Sequence, residues 1–240
     1  PKPDLSDPEI YAQHPEFLKN SLNRVRYFWR WDTEEKYQTN MRAYYRMISG
    51  YDHVMKRVIE TLKEKGLDQN TIIIFSADNG YYMGNRGFAG KWSHYEESLR
   101  VPMVIYDPRK PEKDGGKTSD KMALNIDIPA TILGYAGMNA PESYQGKSLL
   151  PIVNGEPVEG WRTSFLCEHR MDHPQLPKYV GLRTSQYVYA NYYEQDPPFE
   201  YLHDLEKDPK QLKNLVRDPE YAEILKNIKE NCNDFEWQIK

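Results

Sequence analysis

Thr71-Ile72-Ile73-Ile74-Phe75-Ser76 is an uninterrupted run of β-branched and aromatic residues. It leaves few choices for the chain around it. Such a run suits a strand buried on both faces, as in a parallel sheet covered by helices. Just upstream, Met41, Tyr44, Tyr45, Ile48, Tyr51, Met55, Val58, Ile59 and Leu62 recur at steps of three and four, forming one apolar stripe of a long helix. Asp32-Thr33-Glu34-Glu35 reads as a capping box that opens this helix, with Glu35 placed three after the cap. Gly66 closes it in the left-handed position, with Leu67 available for the hydrophobic contact behind it. Met103 to Tyr106 reads as a second buried strand. Asp127, Pro129 and the apolar residues through Ala136 predict another helix, closed by Gly137. Helix and strand alternate, so this part is α/β.

The flanks read differently. Ser6-Asp7-Pro8-Glu9 predicts a short helix that ends around Asn20, and Tyr27, Phe28, Trp29 and Trp31 follow as an aromatic cluster expected in a core. After Pro151, short strand candidates replace the alternation: Thr163 to Glu168, Tyr179 to Arg183, Tyr187 to Tyr193 and Glu200 to Leu205. Asp218-Pro219-Glu220 starts a final helix. The expected organisation is an α/β part over residues 1–155 and a small α+β subdomain, an antiparallel sheet plus one helix, over residues 156–240.

Composition excludes several classes. A net charge of −4 over 240 residues gives no general attraction to nucleic acid or anionic lipid. No apolar run approaches the roughly 20 residues that span a bilayer. The first residues lack the apolar stretch of a signal peptide, and Pro1 is an unusual natural start. An export signal is therefore expected upstream, for a periplasmic or secreted protein. Cys167 and Cys232 form no C-x-x-C and are expected as buried free thiols.

The chemistry concentrates in the loop between the two strands. Asp78-Asn79-Gly80 follows the first strand directly, and ligands of open α/β sheets bind beyond the carboxyl ends of strands. A carboxylate beside an amide carbonyl offers two hard oxygens, suited to calcium or magnesium. Gly80 lets the backbone turn sharply after them. The same tripeptide is also an ordinary turn sequence. Lys91 follows at Gly90, and an ammonium returning to a cation site holds a tetrahedral oxyanion.

The run from Thr71 to Asp107 closely resembles the second signature region of sulfatases. An apolar strand leads to Asp78-Asn79-Gly80, a glycine-containing loop leads to Lys91, and Tyr95-Glu96-Glu97-Ser98, Arg100 and Val101-Pro102 follow. Asp127-Ile128-Pro129, Gln145-Gly146-Lys147-Ser148-Leu149-Leu150-Pro151, Gly181-Leu182-Arg183-Thr184 and His203-Asp204-Leu205 through Pro209 are similar too, so the resemblance covers roughly residues 40 to 230. It implies an alkaline-phosphatase-like α/β fold with a small carboxyl-terminal subdomain. It also implies sulfuric ester hydrolysis, with a sulfated small molecule or glycan as substrate. Asp78 and Asn79 match metal ligands, most often for calcium, and Lys91 matches the lysine that contacts the sulfate. Glu96 and Glu97 read as structural acids at a helix start. One departure stands out. The family nucleophile is a formylglycine made in Cys/Ser-x-Pro/Ala-x-Arg, and neither Cys167 nor Cys232 lies in that pattern. The nucleophile and the family's amino-terminal aspartate pair are expected upstream, and this chain alone is expected to be inactive.

The resemblance also calls for an acid at the leaving alcohol, a role that histidine fills in relatives. His94 follows Lys91 in the signature loop and is the first candidate for a site contact. In Glu168-His169-Arg170-Met171-Asp172-His173-Pro174, His169, Arg170 and His173 are candidates for reading the sugar. Pro174 and the expected loop argue against a helical zinc pair there. Two other readings compete. One is a phosphohydrolase or phosphotransferase of the same superfamily, against which Asn79 in place of a histidine favours one hard cation over two zinc ions. The other is a non-catalytic carbohydrate-binding module, which the 19 tyrosines and 5 tryptophans permit.

Overall fold

A computed structural model describes residues 4–110 and 115–238. The chain forms two compact units. One gathers the chain up to Arg42, Asn79–Arg100 and the chain from Thr163 onward; the other gathers Ala43–Asp78 and Val101–Arg162. These contact units are cut differently from the expected division at residue 155. The signature loop packs with the carboxyl-terminal sheet because its own aromatic residues, Tyr82, Phe88 and Tyr95, share a core with Tyr179, Tyr192 and Tyr201.

In the first unit, helix α1 (Pro8–Ala12) begins with Asp7 accepting from the Glu9 amide at 2.9 Å. The single helix expected to Asn20 is broken. Pro15 has no N–H to continue it, and α2 (Glu16–Lys19) starts afresh from that proline. Helix α3 (Leu22–Arg30) follows. The expected aromatic core is also corrected in part: Trp31 is buried, while Phe28 and Trp29 are 47% and 54% exposed. Helix α4 (Glu34–Glu64) runs on into the second unit. Its cap is Thr33, whose Oγ1 accepts from the Lys36 amide at 3.2 Å. Asp32, the expected cap, instead pairs with Lys36 Nζ at 2.8 Å.

The carboxyl-terminal sheet is an antiparallel meander in the order β3 (Ser164–His169), β4 (Tyr179–Thr184), β5 (Tyr187–Tyr192) and β6 (Phe199–Asp204). All four strands occur where the turn-bounded strand candidates predict them. Tyr179, Ala190, Tyr192 and Tyr201 point to one face and meet Leu18 and the signature loop. Val180, Leu182, Tyr189 and Leu202 point to the other and meet Ile228 of helix α8 (Ala222–Gln238). This is the period-two division that a sheet covered on both faces requires. Cys167 and Cys232 lie in these two separate cores and are not joined by a disulfide.

In the second unit, β1 (Ile73–Ser76) pairs, among the described residues, only with β2 (Met103–Tyr106), and it does so antiparallel, with Ile73 opposite Tyr106 and Ser76 opposite Met103. The expected strand buried on both faces is corrected: β1 is half-buried throughout, and Val104 and Tyr106 of β2 are exposed. A two-stranded pair leaves an open edge on each strand, so neither has the neighbours that bury a central strand. Tyr51 of α4 meets Phe75 of β1 at 5.7 Å between rings, yet most of the α4 stripe is exposed among the described residues. Gly66 ends α4 in the left-handed region as expected, with the Leu67 amide donating to Leu62 O at 2.8 Å. Helices α6 (Asp127–Tyr135) and α7 (Leu150–Asn154) complete this unit around fully buried Asp127. That carboxylate accepts from Arg162 Nη2 at 2.7 Å and from the amides of Leu124 and Lys147 at 2.8 Å.

Candidate active site

The chain leaves β1 through Ala77 and Asp78, whose carbonyls accept from Asn125 Nδ2 at 3.2 and 3.1 Å. That pinned backbone sets the Asp78 carboxylate at the surface, bordering a concavity of about 450 Å³ lined in part by Ile74, Asn125 and Ile128. Asn79 comes next. Its Nδ2 donates to Gly80 O at 2.8 Å, and its Oδ1 accepts from Lys91 Nζ. Gly80 admits no other residue: a Cβ there would lie 2.1 Å from Glu97 O. Its amide donates to Ser98 O at 2.9 Å, which ties the turn to helix α5 (Glu96–Leu99).

Lys91 is held from behind. Asn23 of α3 donates through Nδ2 to Lys91 O at 2.6 Å. Gly90 has φ 106°, and a Cβ on it would meet Asn23 Oδ1 at 2.6 Å. Trp92, on the other side, has φ 73°. The left-handed region costs a bulky residue about 1–3 kcal/mol, so surrounding contacts must fix it. Arg86, at φ 59° and 2% exposed, anchors the loop from within. Its Nε donates to Glu97 Oε1 at 2.9 Å, Nη1 donates to Gln211 O at 3.2 Å, and Cζ lies 4.1 Å from the Tyr95 ring centroid. Glu96 takes Arg183 on its two oxygens at 3.0 and 3.2 Å. Both signature acids therefore hold structure, as expected from a helix start.

A sulfatase family model matches residues 11–138, and a model described as N-sulphoglucosamine sulphohydrolase, C-terminal, matches residues 84–238. This chain belongs to the sulfatase family. An N-acetylglucosamine-6-O-sulfatase of Bacteroides thetaiotaomicron is 29% identical over 210 residues, 85% of this chain and 37% of that protein. An arylsulfatase of Clostridium perfringens is 35% identical over 182 residues, 75% of this chain and 37% of that protein. A solved 2-O GAG sulfatase superposes with a TM-score of 0.85 at 26% identity, covering 99% of this chain and 52% of that one. The chain thus spans 37% of the length of these two curated relatives.

Within this sulfatase chain, the sequence-predicted residues separate. Asn79 and Lys91 touch, and Asp78 precedes Asn79 directly. His94, the first candidate for a site contact, lies enclosed in the core. It is 0% exposed, its Nδ1 meets Tyr192 Oη at 2.9 Å, and its Nε2 meets His203 Nε2 at 3.3 Å. Burial, then the neighbouring His203 and Arg86, hold its pKa well below the ordinary value. A neutral ring enclosed by aromatic side chains packs the core. His169 ends β3, half-buried, with its pKa lowered by burial. Arg170 Nε donates to Glu168 Oε2 at 2.6 Å, and His173 Nδ1 accepts from the Gln175 amide at 3.1 Å. Neither His169 nor His173 contacts Asn79 or Lys91 among the described residues.

No group of three or more His, Cys, Asp or Glu side chains converges among the described residues. The donors at the strand end are instead one carboxylate and one amide oxygen. Two hard oxygens fit part of the oxygen shell of a hard divalent cation and do not fit a zinc site. Sequence reasoning missed Asn23, Arg86 and Trp92. No composition or spacing signal links residue 23 to residue 91 or announces a non-glycine residue at positive φ.

Proposed function

We propose that this chain is the carboxyl-terminal part of a sulfuric ester hydrolase that removes sulfate from a sulfated carbohydrate. One observation carries the reading: the Lys91 ammonium meets the amide oxygen of Asn79, the residue that follows Asp78 in the chain. An ammonium against a hard amide oxygen, with a carboxylate on the preceding residue, supplies the groups that gathering an anionic ester next to a cation requires.

Asp78 and Asn79 would hold calcium. When bound, the cation neutralises gathered negative oxygens and polarises the ester. The Asn79 carbonyl has two lone pairs, so accepting from Lys91 leaves one for a cation. Lys91 binds the ester's oxygens and stabilises the charge that grows on them as the S–O bond to the alcohol breaks. Asn23, through Lys91 O, fixes the direction from which the ammonium approaches. Gly80, tied to Ser98 O, fixes the turn that presents Asn79. The formylglycine nucleophile lies outside this chain in this reading. The named sulfatases among the relatives, including one acting on N-acetylglucosamine 6-O-sulfate by its name, support a sulfated sugar as substrate class.

Assaying the full-length protein on sulfated mono- and disaccharides, with phosphate monoesters in parallel, tests this. Released sulfate that requires calcium is expected. Turnover of phosphate esters alone would replace the proposal with phosphohydrolysis.

A further inference from the structure

Helix α3 does more than brace Lys91. Asn23 and Arg26 lie one turn apart on it, so their side chains share a face. Asn23 holds the Lys91 carbonyl at 2.6 Å, and Arg26 Cζ lies 4.6 Å from the ring centroid of Trp92, the residue after Lys91. Trp92 reaches that position only through its left-handed backbone, φ 73°. The strained residue therefore sets an indole against a guanidinium next to the lysine that faces the ester. Arg26 Nε is buried and has no hydrogen-bond partner among the described residues. A guanidinium on an indole face keeps its planar fork and directs its N–H groups outward in that plane, the geometry that binds a carboxylate or sulfate with two parallel hydrogen bonds.

We infer that Arg26, stacked on Trp92, is a second anion-binding position beside Lys91, and that it takes a second anionic oxygen group of the substrate. The preferred substrate is then a sugar carrying two such groups: the sulfate that is cleaved, held at Lys91, and a sulfate or carboxylate that is retained, held at Arg26. This rests on the sulfatase reading and names its substrate class. Lysine in place of Arg26 keeps the charge but loses the fork, so it recovers only part of the effect.

The test uses the full-length protein and matched pairs of probes. One pair is glucosamine 2-N,6-O-disulfate with glucosamine 6-O-sulfate; another is a sulfated disaccharide with and without its uronate carboxylate. In Arg26→Ala, kcat/KM for the doubly anionic member of a pair is expected to fall about 10–100-fold relative to the singly anionic member, the effect of one hydrogen bond to a charged group. The change is expected in KM, with Arg26→Lys intermediate. Equal losses within every pair, or no loss, overturn the inference. Calorimetric binding of the same pairs separates the two readings. A doubly anionic preference lost in Arg26→Ala without sulfate release by the wild type supports Arg26 and rejects sulfatase activity, whereas wild-type turnover with no such preference rejects Arg26 alone. If Arg26→Ala does not fold, Arg26→Met keeps an apolar stem against Trp92, removes the charge and carries the same comparison.

Discussion

The Lys91 ammonium donates to the Asn79 amide oxygen across a loop separation of twelve residues. Lys91 is half-buried, and its backbone is fixed independently through Asn23. Removing the ammonium therefore leaves the loop in place. In the full-length protein, Lys91→Ala is expected to lower kcat for a sulfate ester by about 10²–10³-fold, the usual loss for one preorganised donor at developing charge. The thermal midpoint is expected to move little. A kcat near wild type would take Lys91 out of the site.

Asp78 makes a different contribution. Its carboxylate is exposed and its backbone is pinned by Asn125, so the side chain can be truncated without disturbing β1. Chelation of the wild-type protein is expected to abolish activity, and added calcium to restore it. Asp78→Ala is expected to need much more calcium for half-maximal activity. Direct calcium binding by calorimetry should weaken in parallel. Unchanged calcium affinity in the variant would show that the cation is held elsewhere.

The buried Arg86–Glu97 pair predicts a stability effect rather than a catalytic one. Their side chains are 2% and 15% exposed, and the contact is 2.9 Å. Glu97→Ala leaves a guanidinium in the core with carbonyls but no counter-charge, which costs about 3–5 kcal/mol. The control is Glu60→Ala on α4, whose pair with Lys56 spans 3.7 Å between side chains that are 69% and 54% exposed. That change should cost about 0.5 kcal/mol or less. Urea unfolding of both variants reads the difference, and equal midpoints would mean that Arg86 relaxes to water when its partner is lost.

Much of this was legible in the residues themselves. The period-three-and-four stripe from Met41 to Leu62 marks α4, and Gly66 marks its end. Short runs of strand-forming residues separated by turn-formers mark β3 to β6. The juxtaposition of Asn79 and Lys91 was expected from the sulfatase resemblance, not from periodicity. What stayed hidden depended on distant partners. A continuous apolar run such as Thr71 to Ser76 carries no information on whether its neighbour runs parallel, so the antiparallel pairing of β1 with β2 could not be read from it. Pro15, by contrast, does announce the break between α1 and α2. His94 stands three residues from Lys91, but the loop turns its ring toward Tyr192 and His203, roughly a hundred residues on. Trp92 and Arg86 adopt backbone conformations that their residue types normally avoid.

The buried histidines give a pH dependence whose sign follows from their hydrogen bonds. His203 Nδ1 lies 2.9 Å from Lys213 O, an acceptor, so that nitrogen carries the proton. His203 Nε2 then accepts from His94 Nε2–H, and His94 Nδ1 accepts from the Tyr192 hydroxyl. A further proton on His203 would set two N–H groups against each other. Burial lowers the His203 pKa to about 4, and burial with the nearby Arg86 lowers that of His14 to about 3. Unfolded, each histidine returns to about 6.5. The unfolded chain thus binds more protons below that value, so the contribution is complete above about pH 6.5 and is lost as pH falls toward 4 and then 3. Each ring can weaken the fold by up to about 1.4 kcal/mol per pH unit in that window. Between pH 6.5 and 5, above most carboxylate titration, the histidines dominate the slope. His14→Phe keeps a ring against Phe88, which lies 4.7 Å away, and removes one of these protons. The unfolding midpoint of the variant is expected to fall less steeply with acid than that of the wild type. Identical slopes would mean that His14 is charged in the folded protein or remains neutral when the chain unfolds.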